Sequence, residues 1–265
     1  MLRTRILTAL GLAIVCIAGF LYGGAPIARA LLSVVVLLGA LEWSAFFGGG
    51  NRLVRLCYVL LVAALCYFGQ DLSTAQFRVL LLAALVWWCL TLLWIALASM
   101  RVPAPLAALA GLFVLVPTWL VLVRIDAYWV RGAQWTLFIL ALAFACDTGA
   151  YFAGHRFGRV KLAPSISPGK TWEGVFGGMA LATVFAIGGG LWFQQPLDVF
   201  VPLCLAAAGF SIVGDLLESL LKRSSGLKDS GRIFPGHGGV LDRIDSVTAA
   251  TPIIALGLLW LGVGA

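Results

Sequence analysis

Apolar runs of roughly 20 residues recur along almost the whole chain, separated by short breaks that contain Gly, Pro or charged residues. As an α-helix, each run is long enough to cross a hydrocarbon layer about 30 Å thick. The pattern therefore predicts an all-α, polytopic integral membrane protein with about nine transmembrane helices. We place them approximately at residues 5–23, 27–48, 53–69, 76–99, 104–123, 133–154, 174–194, 198–217 and 246–264.

Two polar segments, 155–173 and 218–245, interrupt this pattern in the second half of the chain. We accordingly predict two regions. Residues 1–130 form an N-terminal region of about five spans, and residues 131–265 form a C-terminal catalytic region of about four spans.

The composition agrees with this prediction and excludes a soluble domain. Hydrophobic residues make up 62% of the chain, charged residues 11%, and the mean hydropathy is +1.04, whereas a soluble domain has about 25% charged residues. The net charge of +7 is not gathered on a soluble face, so nucleic acid is not an expected partner and the lipid bilayer is. The six Cys lie in apolar runs without a CxxC pair, which favours small buried hydrophobes over disulfides or metal ligands.

The basic residues predict the orientation in the membrane. With a cytoplasmic N-terminus, only Arg29, Arg78, Arg124 and Arg131 of the 18 Lys and Arg residues lie outside, as the positive-inside rule requires. Both polar segments then face the cytoplasm. A cleavable signal peptide ending near Ala30 is the less favoured alternative, because the first apolar run is long and the second follows with almost no gap.

The second polar segment places carboxylates at helical spacing. Asp215, Glu218, Ser219 and Lys222 share one helical face, and the opposite face holds Leu216, Leu217, Leu220 and Leu221. Asp242 and Asp245 have the same spacing at the start of the last span. Ionisable groups at membrane depth are costly and indicate a functional site.

Two helices that meet at their cytoplasmic ends can aim Asp215 and Asp242 at one point, where they would bind a hard divalent cation, and we expect Mg²⁺. Cations and glycines nearby suit a phosphate-rich ligand. The alternative is that Asp215 and Asp242 form structural salt bridges with Lys222 and Arg243. His237 could be a base, a phosphate donor, a metal ligand or a loop residue that bonds its own backbone.

The first polar segment is compatible with the same chemistry. The sequence SPGKTWEG, residues 167–174, offers a hydroxyl, a turn and Lys170 before a helix start, whose positive dipole end would favour phosphate. It lacks the spacing of a Walker motif. Asp147, with Tyr151 one turn later on the same face, would join the metal site or balance Lys170.

The run from Ser219 to Asp245, with KDSG at 228–231 and FPGHGGVLDRID at 234–245, resembles the signature of phosphatidate cytidylyltransferases throughout. DTGAYFAG at 147–154 and SPGKTWEG are similar to companion motifs of that family, and LEW around Glu42 is similar to a family feature. The resemblance implies transfer of the cytidylyl group of CTP to phosphatidic acid, with release of pyrophosphate, in phospholipid biosynthesis. It also implies Mg²⁺ at Asp215 and Asp242 and, in some members, a second monovalent cation such as K⁺.

We therefore predict roles for individual residues. Asp215 and Asp242 would hold Mg²⁺ on the triphosphate, and Asp147 and Asp245 are further candidate metal ligands. Lys170, Lys222 and Arg243 would carry phosphate charge, with Glu218 and His237 in support. Predicted contacts to substrate are Ser167, Lys170, Glu173, Ser219, Arg223, Lys228, Asp229, Gly238 and Gly239.

Two other activities compete with this assignment. An anion or nucleotide transporter would show paired repeats with broken helices near the midplane, whereas these charges cluster at one surface. A CTP-using lipid kinase would release CDP rather than pyrophosphate. The compact chain favours a bacterial inner membrane with the site facing the cytoplasm, and a homodimer is one candidate assembly.

Overall fold

The structure is a computed structural model, and it describes residue 11 and residues 14–97, 101–231 and 238–263. The chain forms a helical bundle, as predicted, and residues 14–22 are also helical. The helices are α1 (Gly24–Trp43), α2 (Ala45–Gly48), α3 (Arg52–Gly69), α4 (Thr74–Leu97), α5 (Ala104–Tyr128), α6 (Gly132–Phe157), α7 (Trp172–Phe193), α8 (Leu197–Ser224) and α9 (Leu241–Trp260).

Seven helical segments within the described residues are long and apolar enough to cross a membrane, namely Gly24–Gly48 and helices α3 to α8. The chain is therefore a multi-pass membrane protein. Of the predicted first span, 5–23, the structure describes residue 11 and residues 14–23, and residues 14–22 are helical. The predicted ninth span corresponds to α9, which is not among the seven, so the count of nine and the cytoplasmic N-terminus stay predictions.

Helix α9 occupies the centre of the bundle, where it packs against α8, α5, α4 and α6. Every residue from Ser246 to Leu256 is buried. A membrane helix that is enclosed by protein can carry polar side chains, because their hydroxyl groups find hydrogen-bond partners inside the bundle. Ser246, for example, donates its hydroxyl to Asp147 of α6 at 2.7 Å.

Small residues bring the helices of the C-terminal region close together. A β-carbon at Gly149 of α6 would overlap the carbonyl oxygen of Gly177 in α7, and one at Gly214 of α8 would overlap the carbonyl oxygen of Asp245 in α9. Such close backbone approach is how membrane helices pack without a hydrophobic driving force between them. The contact at Gly214 places the next residue, Asp215, beside the start of α9.

Regular secondary structure extends further into the described parts of the two polar segments than the predicted span boundaries indicate. Helix α8 continues past the predicted end at 217 to Ser224, and α9 begins at Leu241 rather than 246. The first segment contains an unpredicted antiparallel hairpin of β1 (Lys161–Ala163) and β2 (Ser167–Thr171). The boundaries differ because the charged ends of these helices contact protein, where hydropathy is no guide.

The N-terminal helices are joined to α5 by hydrogen bonds from buried aromatic residues. The indole nitrogen Nε1 of Trp43 donates to the carbonyl oxygen of Ala107 at 2.8 Å. The hydroxyl of Tyr58 donates to the carbonyl oxygen of Ala108 at 2.9 Å. These bonds satisfy polar groups that would otherwise be unpaired at membrane depth.

Candidate active site

A cavity of about 630 Å³ opens where the ends of α6, α8 and α9 meet the hairpin and the start of α7. This volume lies within the range of roughly 300–1,000 Å³ that is usual for small-molecule sites. Its polar lining comes from both sequence motifs, although these lie far apart in the chain. The ionisable side chains of the lining are Asp147, Tyr151, His155, Lys170, Asp215, Asp242, Arg243 and Asp245.

Three carboxylates from three helices form one wall of the cavity, which we call the acidic wall: Asp147, Asp215 and Asp245. Asp215 lies close enough to Asp147 and to Asp245 for mutual repulsion between the charged forms. Ser246 supports two members of the wall. Its hydroxyl donates to Asp147 Oδ2 at 2.7 Å, and its backbone N–H donates to Asp245 Oδ1 at 2.8 Å. The wall is a concentration of negative charge that favours a cation.

Lys170 is a cation that faces the acidic wall. It projects from β2, and its Nζ lies 2.6 Å from Asp215 Oδ2. The hydroxyl of Ser219 lies 3.4 Å from the other oxygen of Asp215, one helical turn away. Ser167, on the same strand as Lys170, also lines the cavity. An anion that enters here meets a lysine whose present partner, Asp215, it can replace.

Asp242, by contrast, is held by the protein on both of its oxygens. Lys222 Nζ lies 2.7 Å from Oδ1. Oδ2 accepts from the hydroxyl of Ser230 at 2.9 Å, the N–H of Gly239 at 2.8 Å and the N–H of Ser230 at 3.2 Å. The structural salt bridge that sequence reasoning left open is present for this pair.

Glycines allow the backbone to approach Asp242 so closely. Gly238 has φ +80°, in the left-handed region that favours glycine, and a β-carbon there would meet Asp242 Oδ2. Gly239 donates its N–H to the same oxygen. We predicted both glycines as substrate contacts, and in this structure Gly239 serves the protein's own carboxylate.

Lys222 joins two elements of the site rather than facing the cavity. Its Nζ lies 3.4 Å from Glu218 Oε1, one turn earlier on α8, as well as contacting Asp242 on α9. Glu218 is 2% exposed. The four leucines on the other face of this turn, Leu216, Leu217, Leu220 and Leu221, are all buried against protein.

The remaining predicted contacts divide by location. Glu173 accepts from the backbone N–H groups of Arg159 and Val160, which fastens the hairpin to the start of α7. Arg223, Lys228 and Asp229 are exposed and are not among the described residues that line the cavity. His237 lies outside the described residues. The substrate-binding roles of all these residues stay predictions.

Magnesium suits the donor chemistry of the acidic wall, because it binds carboxylate oxygens and keeps several waters. Nowhere in the described part of the chain are three or more His, Cys, Asp or Glu side chains arranged to enclose a metal ion. An ion here would therefore be held by one or two carboxylates and completed by water and phosphate oxygens, a common arrangement for Mg²⁺. The residues present therefore fit a metal ion that binds together with a phosphate-bearing substrate.

Sequence reasoning placed Tyr151 on one face with Asp147 but assigned it no role in the site, and it missed His155. Tyr151 and His155 stand one turn apart on α6 with parallel rings, 6.0 Å between centroids, and both line the cavity. The i, i+4 spacing from Asp147 through Tyr151 to His155 was a readable signal for this face. Ser230 and Ser246 were also missed, because a serine beside a carboxylate in sequence does not reveal which carboxylate it will contact.

Comparison with known proteins finds relatives that match almost the whole chain. The model of the cytidylyltransferase family matches residues 3–260. The phosphatidate cytidylyltransferase of Pseudomonas aeruginosa is 40% identical over 98% of this chain and 97% of its own length. That of Haemophilus influenzae is 36% identical over 96% and 98%. That of Brucella suis is 45% identical over 47% of each chain.

Proposed function

The chain belongs to the cytidylyltransferase family, and on this premise we propose that it is a phosphatidate cytidylyltransferase. It transfers the cytidylyl group of CTP to phosphatidic acid and releases CDP-diacylglycerol and pyrophosphate. Relatives of that name match nearly the full length of this chain. The proposal places the enzyme in phospholipid biosynthesis.

One structural observation carries the proposal: a single cavity joins the acidic wall to Lys170 and Arg243. The main barrier in this reaction is to bring a polyanionic nucleotide and an anionic lipid headgroup together. Cationic side chains neutralise phosphate oxygens, and carboxylates hold the counter-ion that a triphosphate carries. A cavity with only one of these charges would not serve both needs.

The transfer itself requires little covalent chemistry from the protein. A phosphate oxygen of phosphatidic acid forms a bond to the α-phosphorus of CTP, and the bond between that phosphorus and the bridging oxygen to the β-phosphate breaks. Pyrophosphate leaves with the electron pair. A phosphate monoester has a second pKa near 6 and is largely dianionic at neutral pH, so no strong base is needed. Lys170 and Arg243 orient the phosphates and offset their charge.

We assign Mg²⁺ to the carboxylates of the cavity, with Asp215 as the principal ligand and Asp147, Asp245 and Asp242 as the further candidates. When bound, Mg²⁺ would neutralise charge on the triphosphate and on the departing pyrophosphate. Asp215 is the best placed because its partners among the described residues are a partly exposed lysine and the Ser219 hydroxyl at 3.4 Å. In this assignment Lys170 exchanges Asp215 for phosphate when nucleotide and ion bind.

The cavity also suggests the direction in which CTP lies. Along α6, Tyr151 and His155 stand about 6 and 12 Å beyond Asp147 at a rise of 1.5 Å per residue. We place the phosphates at the acidic wall and Lys170, and the cytosine against the rings of Tyr151 and His155. Aromatic rings stack on nucleobases, and both residues line the cavity.

We place the cavity at the cytoplasmic face of a bacterial inner membrane. The charge bias of the loops supports this orientation, and curated relatives in Pseudomonas and Haemophilus are bacterial. A site at a membrane surface lets a lipid headgroup meet a soluble nucleotide. The outer face would separate the enzyme from cytoplasmic CTP.

The deciding experiment measures pyrophosphate release by purified protein in lipid–detergent micelles. We expect release only when CTP, phosphatidic acid and Mg²⁺ are all present, with CDP-diacylglycerol as the lipid product. Release of CDP would instead indicate a lipid kinase. CTP uptake into vesicles without pyrophosphate release would indicate a transporter, and either result would refute the proposal.

A further inference from the structure

Glu42, near the end of α1, contacts the start of α9. Its side chain is 4% exposed. Its Oε2 accepts from the backbone N–H of Leu241 at 2.9 Å and lies 3.3 Å from the hydroxyl oxygen of Ser230. A residue of the N-terminal region thus contacts the segment that carries Asp242 and Arg243.

The contact with Leu241 replaces a missing helix cap. The first N–H groups of a helix have no partner within the helix, and the N-cap residue of α9, Val240, provides no side-chain hydrogen bond. Glu42 supplies an acceptor from another helix, 199 residues away in sequence. The start of α9 therefore depends on α1.

Ser230 links Glu42 to the cavity. Its hydroxyl oxygen lies 2.9 Å from Asp242 Oδ2 and 3.3 Å from Glu42 Oε2. A hydroxyl has one hydrogen, and the shorter distance favours its donation to Asp242. Movement of Glu42 or Ser230 would consequently move the carboxylate of Asp242.

The backbone at Gly231 and Gly239 lies close to the carboxyl group of Glu42. A β-carbon at Gly231 or at Gly239 would overlap the Glu42 carboxyl group. Glu42 Oε1 has no hydrogen-bond partner among the described residues. An unpaired buried oxygen is costly, so packing alone does not account for a carboxyl group at this position.

We propose that Glu42 is a positioning residue for cytidylyl transfer: through Leu241 and Ser230 it fixes the start of α9, and with it Asp242 and Arg243. The kinetic consequence rests on the proposed function, whereas the structural consequence does not. The N-terminal region then contributes to the active site although it supplies none of its lining residues among those described.

Three substitutions at this position separate geometry from charge. In Glu42→Gln, the amide oxygen can take the place of Oε2, where it accepts from Leu241 and stays beside the Ser230 hydroxyl, while the NH₂ group takes the place of Oε1, which has no partner among the described residues, so both contacts are kept. Glu42→Ala removes both contacts. Glu42→Asp keeps the charge but is one methylene shorter and cannot reach both partners. Tyr58→Phe is the matched control, because it removes one part-buried hydrogen bond of the same region whose acceptor, the carbonyl oxygen of Ala108, belongs to α5 and not to the start of α9.

The first measurement is steady-state pyrophosphate release at varied CTP. We expect Glu42→Ala and Glu42→Asp to lower kcat by roughly 10- to 100-fold, from the worth of hydrogen bonds to charged groups, with a smaller change in the KM for CTP. Glu42→Gln should stay within about threefold of the parent and Tyr58→Phe unchanged. If Glu42→Gln is as impaired as Glu42→Ala, or Glu42→Ala is fully active, the proposal is wrong.

The second measurement is hydrogen–deuterium exchange of the peptide that covers residues 238–245, which needs no turnover. We expect faster exchange there in Glu42→Ala than in Tyr58→Phe. Unchanged exchange would overturn the proposal even if the parent protein showed no cytidylyltransferase activity, so the two proposals fail separately.

Ser230→Ala tests the same network from its other end and covers the case in which Glu42→Ala does not fold. If the two residues act through Asp242 together, the double variant should lose no more kcat than the more impaired single variant. Fully additive losses would show that Ser230 does not transmit the effect of Glu42 to Asp242 and would overturn that part of the proposal.

Discussion

The site contains two lysine–carboxylate pairs of similar length in different surroundings. Lys170 and Asp215 are 2.6 Å apart, with side chains 22% and 30% exposed, and face the cavity. Lys222 and Asp242 are 2.7 Å apart, each 13% exposed, and Asp242 receives further hydrogen bonds from Ser230 and Gly239. The same chemistry is open to a ligand in the first pair and enclosed by protein in the second.

This difference shows how a membrane helix bundle can stabilise charged side chains within a site. A buried charge without a partner costs several kcal/mol, so the enclosed pair has to be satisfied by the protein itself. A partly exposed pair is screened and can change partners at small cost. We therefore expect the enclosed pair to govern stability and the open pair to govern turnover.

Lys222→Ala should give the largest effect and act on stability. It leaves Glu218 and Asp242 without their shared cation, and breaking a buried pair costs about 3–5 kcal/mol, or roughly 10 °C in the unfolding midpoint for a chain of this size. Thermal unfolding in detergent measures it. Arg223→Ala, an exposed neighbour, is the control for stability, and equal midpoints for the two variants would remove the distinction between the pairs.

Asp215→Asn should lower kcat by about 10²- to 10³-fold, the usual cost of removing one electrostatic group from a reacting centre. Its unfolding midpoint should change little, because the amide oxygen can still accept from Lys170. Asp198→Asn, at the exposed opposite end of α8, is the matched control. Full Mg²⁺-dependent turnover in Asp215→Asn would disprove the metal assignment.

Lys170→Ala should lower kcat/KM for CTP by about 10- to 100-fold, since charge-assisted bonds to phosphate contribute about 1.5–3 kcal/mol. Stability should fall by less than about 1 kcal/mol, because the pair is partly exposed. Steady-state kinetics and thermal unfolding of the same preparation test both statements. A large stability loss without a kinetic one would reverse the assignment of the two pairs.

Tyr151→Leu should give the smallest effect, about a 10-fold fall in kcat/KM for CTP, near the lower end of base–aromatic stacking energies. Tyr151→Phe, which keeps the ring, should stay near the parent. Phe152→Leu is the control, as an exposed aromatic residue outside the cavity lining. Equal losses in Tyr151→Leu and Phe152→Leu would indicate a membrane-surface effect rather than contact with the base.

The sequence alone predicted the membrane class, most helix positions and the region that holds the charges, because length and hydropathy act locally. Predicted spans such as 104–123 and 133–154 correspond to α5 and α6, with ends displaced by several residues. The spacing that put Asp147 and Tyr151 on one face was also a local property, and both residues line the cavity.

Only the tertiary structure decided which partner each charge would take. Local spacing puts Asp215 and Lys222 on one face of α8, yet Asp215 contacts Lys170 from the hairpin and Lys222 contacts Asp242 from α9. Glu42 meets the start of α9 across 199 residues of sequence. Hydropathy measures the preference of each residue for an apolar environment over water. Whether an ion pair is open to the cavity or enclosed by protein depends instead on which helices surround the pair, and these neighbours are fixed only when the bundle packs.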